Sequence, residues 1–141
     1  MSVHCRPAHS GDMPDLISLL AQLGYEWEEP PLAQLITDMR GGQGEVFVAI
    51  SSGAVVGLIN PVVDLRLAEG KTGEIASLVV SADHRGQGVG RVLLQHAQAW
   101  LGERVSTIRI RTNVVRSDAH RFYTSAGYNL AKEQKVFTKD T

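Results

Sequence analysis

A glycine-rich connection between a strand pattern and a helix pattern constrains this chain more than any other feature. Residues 73–94 read GEIASLVVSADHRGQGVGRVLL. The apolar run from Ile75 to Val80 predicts a buried strand. Apolar residues at three-and-four spacing from Val89 to Trp100 predict an amphipathic helix. The chain must therefore pass from a sheet into a helix through a short turn in which every second residue is glycine.

The chemistry of that turn favours an anion. The first N–H groups of a helix have no partner within the helix, and its N-terminus carries a partial positive charge. Glycines 86, 88 and 90 remove the Cβ atoms that would hold a ligand away, and Arg85 and Arg91 add full charge. The sequence therefore predicts a phosphate or pyrophosphate site; a plain strand-to-helix turn is the alternative.

The spacing of the glycines excludes two common phosphate loops. A dinucleotide fingerprint needs a third glycine at the sixth position, where this chain has Arg91 or Leu93. A Walker loop needs a Lys after the second glycine, and none follows. The pattern that is present, R-x-x-G-x-G from Arg85 to Gly90, resembles the coenzyme A pyrophosphate-binding motif of the GNAT superfamily of N-acetyltransferases.

A second motif lies downstream. The segment from Ala119 to Tyr128, AHRFYTSAGY, resembles the family's A-x-x-F-Y-x-x-x-G-F/Y segment near the C-terminus. With both motifs in the family's order, the chain is identified as a member over nearly its whole length. The resemblance implies acetyl-CoA as co-substrate, and it implies contacts to the cofactor from Leu78, Val79, Val80, Arg85, Gly86, Gln87, Gly88, Val89, Gly90, Arg91, Ala119 and Phe122.

The expected fold is mixed α/β (α+β) in one domain, residues 1–141. The predicted order is a strand, two helices, three strands, a helix, a strand, a helix and a last strand over Asn129–Phe137. The resemblance implies a mixed, mostly antiparallel sheet of six to seven strands with about four helices. It also implies a splay between the fourth and fifth strands, around Leu78–Val80 and Val105–Arg111.

Composition narrows the class of protein. A net charge of −1 gives no support to nucleic-acid binding, which needs a basic surface. Cys5 is the one cysteine, so an internal disulfide is excluded, and no hydrophobic run approaches the ~20 residues of a membrane span. With no signal-peptide pattern, the expected location is the cytoplasm, with no membrane partner. Five histidines and one cysteine show no metal-ligand spacing, so no metal is expected.

Acetyl transfer to an amine sets requirements that the family resemblance assigns to residues. An alkylamine with a pKa of about 10 is protonated at neutral pH, so something must remove a proton. Glu74 stands eleven positions before Arg85, where histone-acetylating family members carry a catalytic glutamate; it is the candidate base, and a solvated or salt-bridged residue is the alternative. Tyr123 stands at the family's tyrosine and is the candidate general acid; a core tyrosine is the alternative.

The resemblance also assigns the oxyanion and acceptor sites. Backbone N–H groups near Leu78–Val80, freed by a β-bulge, would polarise the thioester carbonyl. The stretch between the first two helices is where the family builds its acceptor wall. Here Tyr25, Trp27, Glu28 and Glu29, together with Glu26, would attract a cationic amine; a solvated acidic loop is an equal alternative.

One position departs from the family. Many members carry an Asn seven residues before the tyrosine, and this chain has Arg116 there. The role of that Asn is not transferred. The amine, a small molecule or a peptide, cannot be named from the sequence, and a homodimer is one expected state. The alternatives to an enzyme are a non-catalytic acyl-CoA-binding or sensor module on the same fold, and a nucleotide-binding protein.

Overall fold

The computed structural model describes residues 2–111 and 117–141, except for the side chain of Ser117. They form two compact units, the N-terminal unit (Met1–Ile110) and the C-terminal unit (Arg111–Thr141). Short 3-10 turns cover Ser10–Asp12 and Ala82–His84. The longer elements, in chain order, are β1 (Val3–Pro7), α1 (Met13–Gln22), α2 (Glu29–Gly41), β2 (Phe47–Ser51), β3 (Ala54–Arg66), β4 (Gly70–Val80), α3 (Val89–Gly102), β5 (Ile108–Ile110) and α4 (Ser117–Ser125).

The N-terminal unit is built on one sheet in the order β1-β2-β3-β4-β5. The first four strands are antiparallel neighbours, and β5 pairs parallel to β4 only between Gly73–Ile75 and Ile108–Ile110. The β2–β3 hairpin turns through Ser52 and Gly53, both at positive φ, as a two-residue hairpin loop requires. The sheet is therefore mixed, with its parallel step at β4.

Helices cover both faces of this sheet. Apolar residues of α1 and α2 pack with one face of the strands in a cluster that includes Leu16, Leu19, Leu32, Ile36, Val48, Leu58 and Val79. On the other face, α3 lies so close that glycine is required in the strands. A Cβ at Gly57 would stand 2.9 Å from Leu93 Cδ1, and one at Gly73 would stand 2.9 Å from Leu101 Cδ2. The apolar stripe of α3 buries Val89, Leu93, Leu94, Ala97 and Leu101.

The expectation of six to seven strands was wrong, because the described residues form five. The segment Asn129–Phe137 has a strand-like sequence but forms no strand, and residues 129–141 are all exposed. A strand exists only where a neighbour accepts its hydrogen bonds, and a local pattern cannot supply that neighbour. The fifth strand is also shorter than expected. The N–H groups of Arg104 and Val105 both donate to Leu101 O and so end α3 rather than begin β5.

The C-terminal unit contains α4 and the chain that follows it. Gly127, at φ 95°, ends this helical region in the left-handed conformation, and Tyr128 N–H donates to Tyr123 O at 3.0 Å. The rings of Phe122 and Tyr123 lie with centroids 5.3 Å apart, and those of Tyr123 and Tyr128 are 6.2 Å apart. In neither described part of the chain is a helix long and apolar enough to cross a bilayer.

Candidate active site

The glycine loop (Arg85–Gly90) has the backbone geometry that its sequence predicts. Gly86 and Gly88 adopt φ values of 77° and 84°, and Gly88 is the residue that caps the N-terminus of α3. A side chain in this left-handed region costs about 1 kcal/mol or more, which explains glycine at both positions. A Cβ built at either glycine meets nothing within 4 Å, so the space beside the loop is open.

The neighbouring side chains frame that open space. Arg85 is exposed, and its Nε donates to Val80 O at 3.2 Å, so the guanidinium is tied to the end of β4. Gln87 and Arg91 are exposed, whereas Val89 is buried under the helix. The loop therefore presents backbone and charge outward and anchors itself through one apolar side chain.

A β-bulge interrupts β4, the strand that precedes the glycine loop. Asn60 pairs with Ser77 and the next residue, Pro61, pairs with Ile75, so Ala76 is an extra residue in β4. The pairing of β4 with β5 ends at Ile75. Among the described residues, Leu78–Val80 thus has a strand neighbour on the β3 side alone.

Glu74 lies just before the bulge, on the sheet face that α1 and α2 cover. Its neighbour Gly73 faces α3, and successive residues of a strand face opposite sides. Its cross-strand partner is Val62. A Cβ built on Gly44 would stand 3.4 Å from Val62 Cγ1 and 3.3 Å from Met39 Cβ, so Val62 lies on the α2 side of the sheet. The carboxyl is half-buried, with Oε1 shielded from solvent. Glu74 also faces Arg109 in the β4–β5 register.

A cavity of about 470 Å³, the α1 cavity, lies on the N-terminal unit and is lined by Ile17, Ala21, Glu26, Trp27 and Glu28. This volume is within the roughly 300–1,000 Å³ of small-molecule sites. Trp27 and Glu28, both predicted substrate contacts, line it. Tyr25, which is 61% exposed, and Glu29, the first residue of α2, do not. Sequence reasoning missed Ile17 and Ala21, which share a face of α1 at the four-residue spacing.

Gln22, which the sequence did not single out, connects α1 with the start of the glycine-loop region. Its Oε1 accepts a hydrogen bond from Ala82 N–H at 3.0 Å. The two residues are sixty positions apart, so no local pattern could have revealed this contact. It ties the last residue of the helix that lines the cavity to the turn between β4 and the glycine loop.

The C-terminal unit carries the other predicted residues. Tyr123, Ala119 and Phe122 are half-buried on α4. Burial raises the pKa of the Tyr128 hydroxyl, and electrostatic repulsion from the nearby Tyr123 raises it further. Arg116, at the family's Asn position, and Asn113, three residues before it, lie outside the described residues.

Neither a metal site nor a cysteine nucleophile is built in the described parts of the chain. No group of three or more His, Cys, Asp and Glu side chains there could hold a metal ion. Cys5 is half-buried in β1, and burial raises the pKa of its thiol, which disfavours the reactive thiolate.

Comparison with known proteins identifies this arrangement. The profile described as the Acetyltransferase (GNAT) family matches residues 13–128. This chain therefore belongs to the GNAT acetyltransferase family. Enzymes of this family use acetyl-CoA as co-substrate. The aminoalkylphosphonate N-acetyltransferase of Salmonella typhimurium is 37% identical over 83 residues, which span 57% of this chain and 54% of that protein.

Solved structures share the fold. A transcriptional regulator from Bacillus halodurans superposes with a TM-score of 0.86 at 24% identity, over 98% of this chain and all of that one. Glucosamine-6-phosphate N-acetyltransferase from Arabidopsis thaliana superposes with a TM-score of 0.85 at 17% identity, over 99% of this chain and all of that one. Because these two neighbours carry different descriptions, the likeness defines the architecture and leaves the acceptor open.

Proposed function

We propose that this protein transfers the acetyl group of acetyl-CoA to a primary amine, which attacks the thioester directly without a covalent enzyme intermediate. The observation that carries the proposal is the glycine loop. Two glycines at positive φ precede the open N-terminus of a fourteen-residue helix and follow a bulged strand. That combination suits a pyrophosphate held by backbone N–H groups.

The residues present fit the anionic half of coenzyme A. Space is open beside Gly86 and Gly88, and Arg85 and Arg91 are exposed near the same helix end. When bound, acetyl-CoA supplies the activated acetyl group. The open edge of Leu78–Val80 would then hold the pantetheine arm, and N–H groups there would stabilise negative charge on the acetyl oxygen.

Glu74 is proposed as the base that accepts the amine proton, directly or through one water. Two observations support this role. The carboxyl lies next to the bulge, and it is on the α1–α2 face of the sheet, the layer that also lines the cavity. In the C-terminal unit, Tyr123 is proposed to protonate the leaving thiolate, and Ala119 and Phe122 are proposed to contact the cofactor. The aromatic packing around Tyr123 would hold its ring in place.

The α1 cavity is the proposed acceptor site, with a cationic amine as its ligand. Glu26 and Glu28 bring two carboxylates to a cavity whose other walls are Trp27, Ile17 and Ala21. Negative charge attracts an ammonium group, and the indole favours a cation over its face. Tyr25 and Glu29 are proposed to act at its margin. The Salmonella relative is named for aminoalkylphosphonates, whose anionic phosphonate these carboxylates would repel. We therefore propose that the acceptor is a diamine or an amino sugar rather than an aminoalkylphosphonate. We also propose that the protein acts in the cytoplasm.

Calorimetric binding of acetyl-CoA to the full chain tests the cofactor, with dephospho-coenzyme A, ATP and NAD as comparators. We expect micromolar binding of acetyl-CoA and little affinity for ATP or NAD. Absence of acetyl-CoA binding would overturn the proposal. Thiol release with a panel of amines then tests the acceptor, with a linear diamine and an aminoalkylphosphonate as opposed members. Faster turnover of the phosphonate would contradict the charge argument while leaving the cofactor assignment intact.

A further inference from the structure

Lysine is distributed unevenly along this chain. The sequence has ten arginines and four lysines, and three of the lysines lie in the C-terminal tail (residues 129–141), at positions 132, 135 and 139. The tail forms neither helix nor strand, and its residues are all exposed. A lysine side chain ends in the same primary alkylamine as a linear diamine. The chain therefore carries, on an accessible segment, the chemical group that its proposed reaction acetylates.

Lys135 has the neighbours that suit the α1 cavity best. The other two tail lysines each precede an acidic residue, whereas Lys135 is flanked by Gln134 and Val136. An acidic neighbour would be repelled by the carboxylates of the cavity, and Lys135 avoids that repulsion. Val136 and Phe137, which follow it, expose 81% and 89% of their surface. The segment thus presents a cation followed by two exposed apolar side chains.

The α1 cavity is complementary to this segment. Glu26 and Glu28 supply negative charge, and the other walls are Ile17, Ala21 and Trp27. An ammonium group is attracted by carboxylates and by the face of an indole, and apolar side chains beside it are stabilised by burial against apolar walls. Both carboxylates and the whole tail are exposed in the structure. Each is therefore accessible to another molecule.

We propose that one copy of this protein acetylates Lys135 in the tail of another copy. The inference rests on the proposed acetyl transfer and on the α1 cavity as acceptor site. After its ammonium group has lost a proton, Lys135 Nζ attacks the acetyl carbonyl carbon of the thioester. The amide C–N bond forms, the C–S bond breaks, and the thiolate takes up a proton to leave free coenzyme A. The acetylated side chain is neutral and is no longer attracted by the carboxylates, so the modified tail leaves the cavity.

Incubation of the full chain with acetyl-CoA, followed by peptide mass spectrometry, tests the proposal. We expect acetyl-Lys135, formed at an initial rate per chain that rises in proportion to protein concentration. Lys71 is the matched internal control, because it is an exposed lysine whose backbone is held in β4 by pairing with Leu65 of β3. Lys71 should react at least about tenfold more slowly than Lys135, since it gains neither positioning nor a base. Equal labelling of the two lysines would indicate plain chemical acetylation and would overturn the proposal.

A mixture of two variants tests transfer between copies. Lys135→Arg keeps the catalytic apparatus but lacks the acceptor, whereas Gly88→Val keeps Lys135 but should not bind acetyl-CoA. We expect acetyl-Lys135 in the mixture and none in Gly88→Val alone. In an otherwise wild-type chain, Glu26→Gln/Glu28→Gln should slow the modification of Lys135 about three- to tenfold. Should Gly88→Val fail to fold, the concentration dependence of the wild-type rate decides.

The outcomes separate this inference from the proposed function. Acetylation of a diamine by a chain whose Lys135 stays unmodified would overturn the inference and leave the proposed function intact. Absence of acetyl-CoA binding would overturn the proposed function itself. A modification rate that does not depend on protein concentration would contradict transfer between copies.

Discussion

The glycine loop and the α1 cavity are built from different parts of the chain, although the proposed reaction needs both. The proposed ligand contacts of the loop are backbone groups, at two left-handed glycines and the start of α3. The cavity presents side chains, two carboxylates and an indole on a surface of α1 and the residues after it. Few sequences can form a binding site made of left-handed backbone, whereas a binding site made of side chains can change its ligand through single substitutions. The loop should therefore fix the cofactor, and the cavity should select the amine.

The largest effect is expected from the loop. Gly88→Val places a β-branched side chain at φ 84° in front of the helix start and should lower acetyl-CoA affinity by at least about a hundredfold. Calorimetry measures the loss, and circular dichroism checks that the fold remains. Gly70→Val is the matched control, since Gly70 also has positive φ and open space but is the first residue of β4. Normal affinity in Gly88→Val would mean that the loop does not hold the cofactor.

Glu74→Gln tests the proposed general base. General-base catalysis contributes roughly 10²–10⁴-fold, so we expect kcat to fall about a hundredfold near pH 7. The deficit should shrink as pH approaches the amine pKa of about 10, because the free amine needs no base there. Acetyl-CoA affinity should be unchanged. Asp64→Asn, which breaks a β3 ion pair with Arg66, is the control carboxyl change. An unaltered pH–rate profile in Glu74→Gln would remove Glu74 from the mechanism.

Asp12→Asn tests whether the cavity helix can be weakened without harming the loop. Asp12 is buried before α1 and accepts two hydrogen bonds from Arg6, at 2.7 and 3.0 Å, and one from His9 N–H. We expect the free energy of unfolding to fall by about 2 kcal/mol at neutral pH. Acetyl-CoA affinity at temperatures where the variant is folded should stay within a factor of two of wild type.

The same substitution predicts a pH dependence. The hydrogen bonds from Arg6 hold the pKa of Asp12 below its usual value. This stabilisation is present above the unfolded pKa of about 3.9 and is lost as pH falls through the lower folded value. The stability gap between wild type and Asp12→Asn should therefore be full near pH 6 and narrow below about pH 4. Thermal unfolding across this range measures it; a gap that widens in acid would contradict the assignment.

The cavity carboxylates should affect the amine alone. Glu26→Gln/Glu28→Gln removes two exposed charges, each worth well under 1 kcal/mol, so KM for a diamine should rise about three- to tenfold. Acetyl-CoA affinity should not change, and added salt should reduce the difference from wild type. Asp15→Asn is the control, because Asp15 is an exposed carboxylate of α1 that does not line the cavity. Equal effects of the double variant and the control would mean that Glu26 and Glu28 belong to a solvated acidic loop and do not contact the amine.

The smallest effect is expected where the two regions meet. Gln22→Ala deletes the acceptor of Ala82 N–H, a single neutral hydrogen bond worth about 1 kcal/mol. We expect a loss of about threefold in acetyl-CoA affinity and a similar rise in the amine KM. Gln34→Ala, which removes a hydrogen bond to Asp38 within α2, should change neither. A response confined to one ligand would show that the contact does not couple the regions.

The sequence predicted most of the fold because its signals are local. Hydrophobic spacing and the stop at Gly24 placed α1, and the Ser52-Gly53 turn placed the β2–β3 hairpin. The prediction failed where an element depends on a distant partner. The expected strand at Asn129–Phe137 does not form in the described structure, and the first residues of the expected β5 instead close the end of α3.

The candidate site likewise has features that the sequence predicts and features that only the fold brings together. The sequence by itself determined the glycine loop, since residues at positive φ next to a ligand must lack a Cβ, and that requirement is written as glycine. Only the tertiary structure decided that Ala76 is the bulged residue and that Ile17, Ala21, Glu26, Trp27 and Glu28 share a cavity. Register and cavities depend on which segments meet in space, and many different side chains can satisfy the same packing.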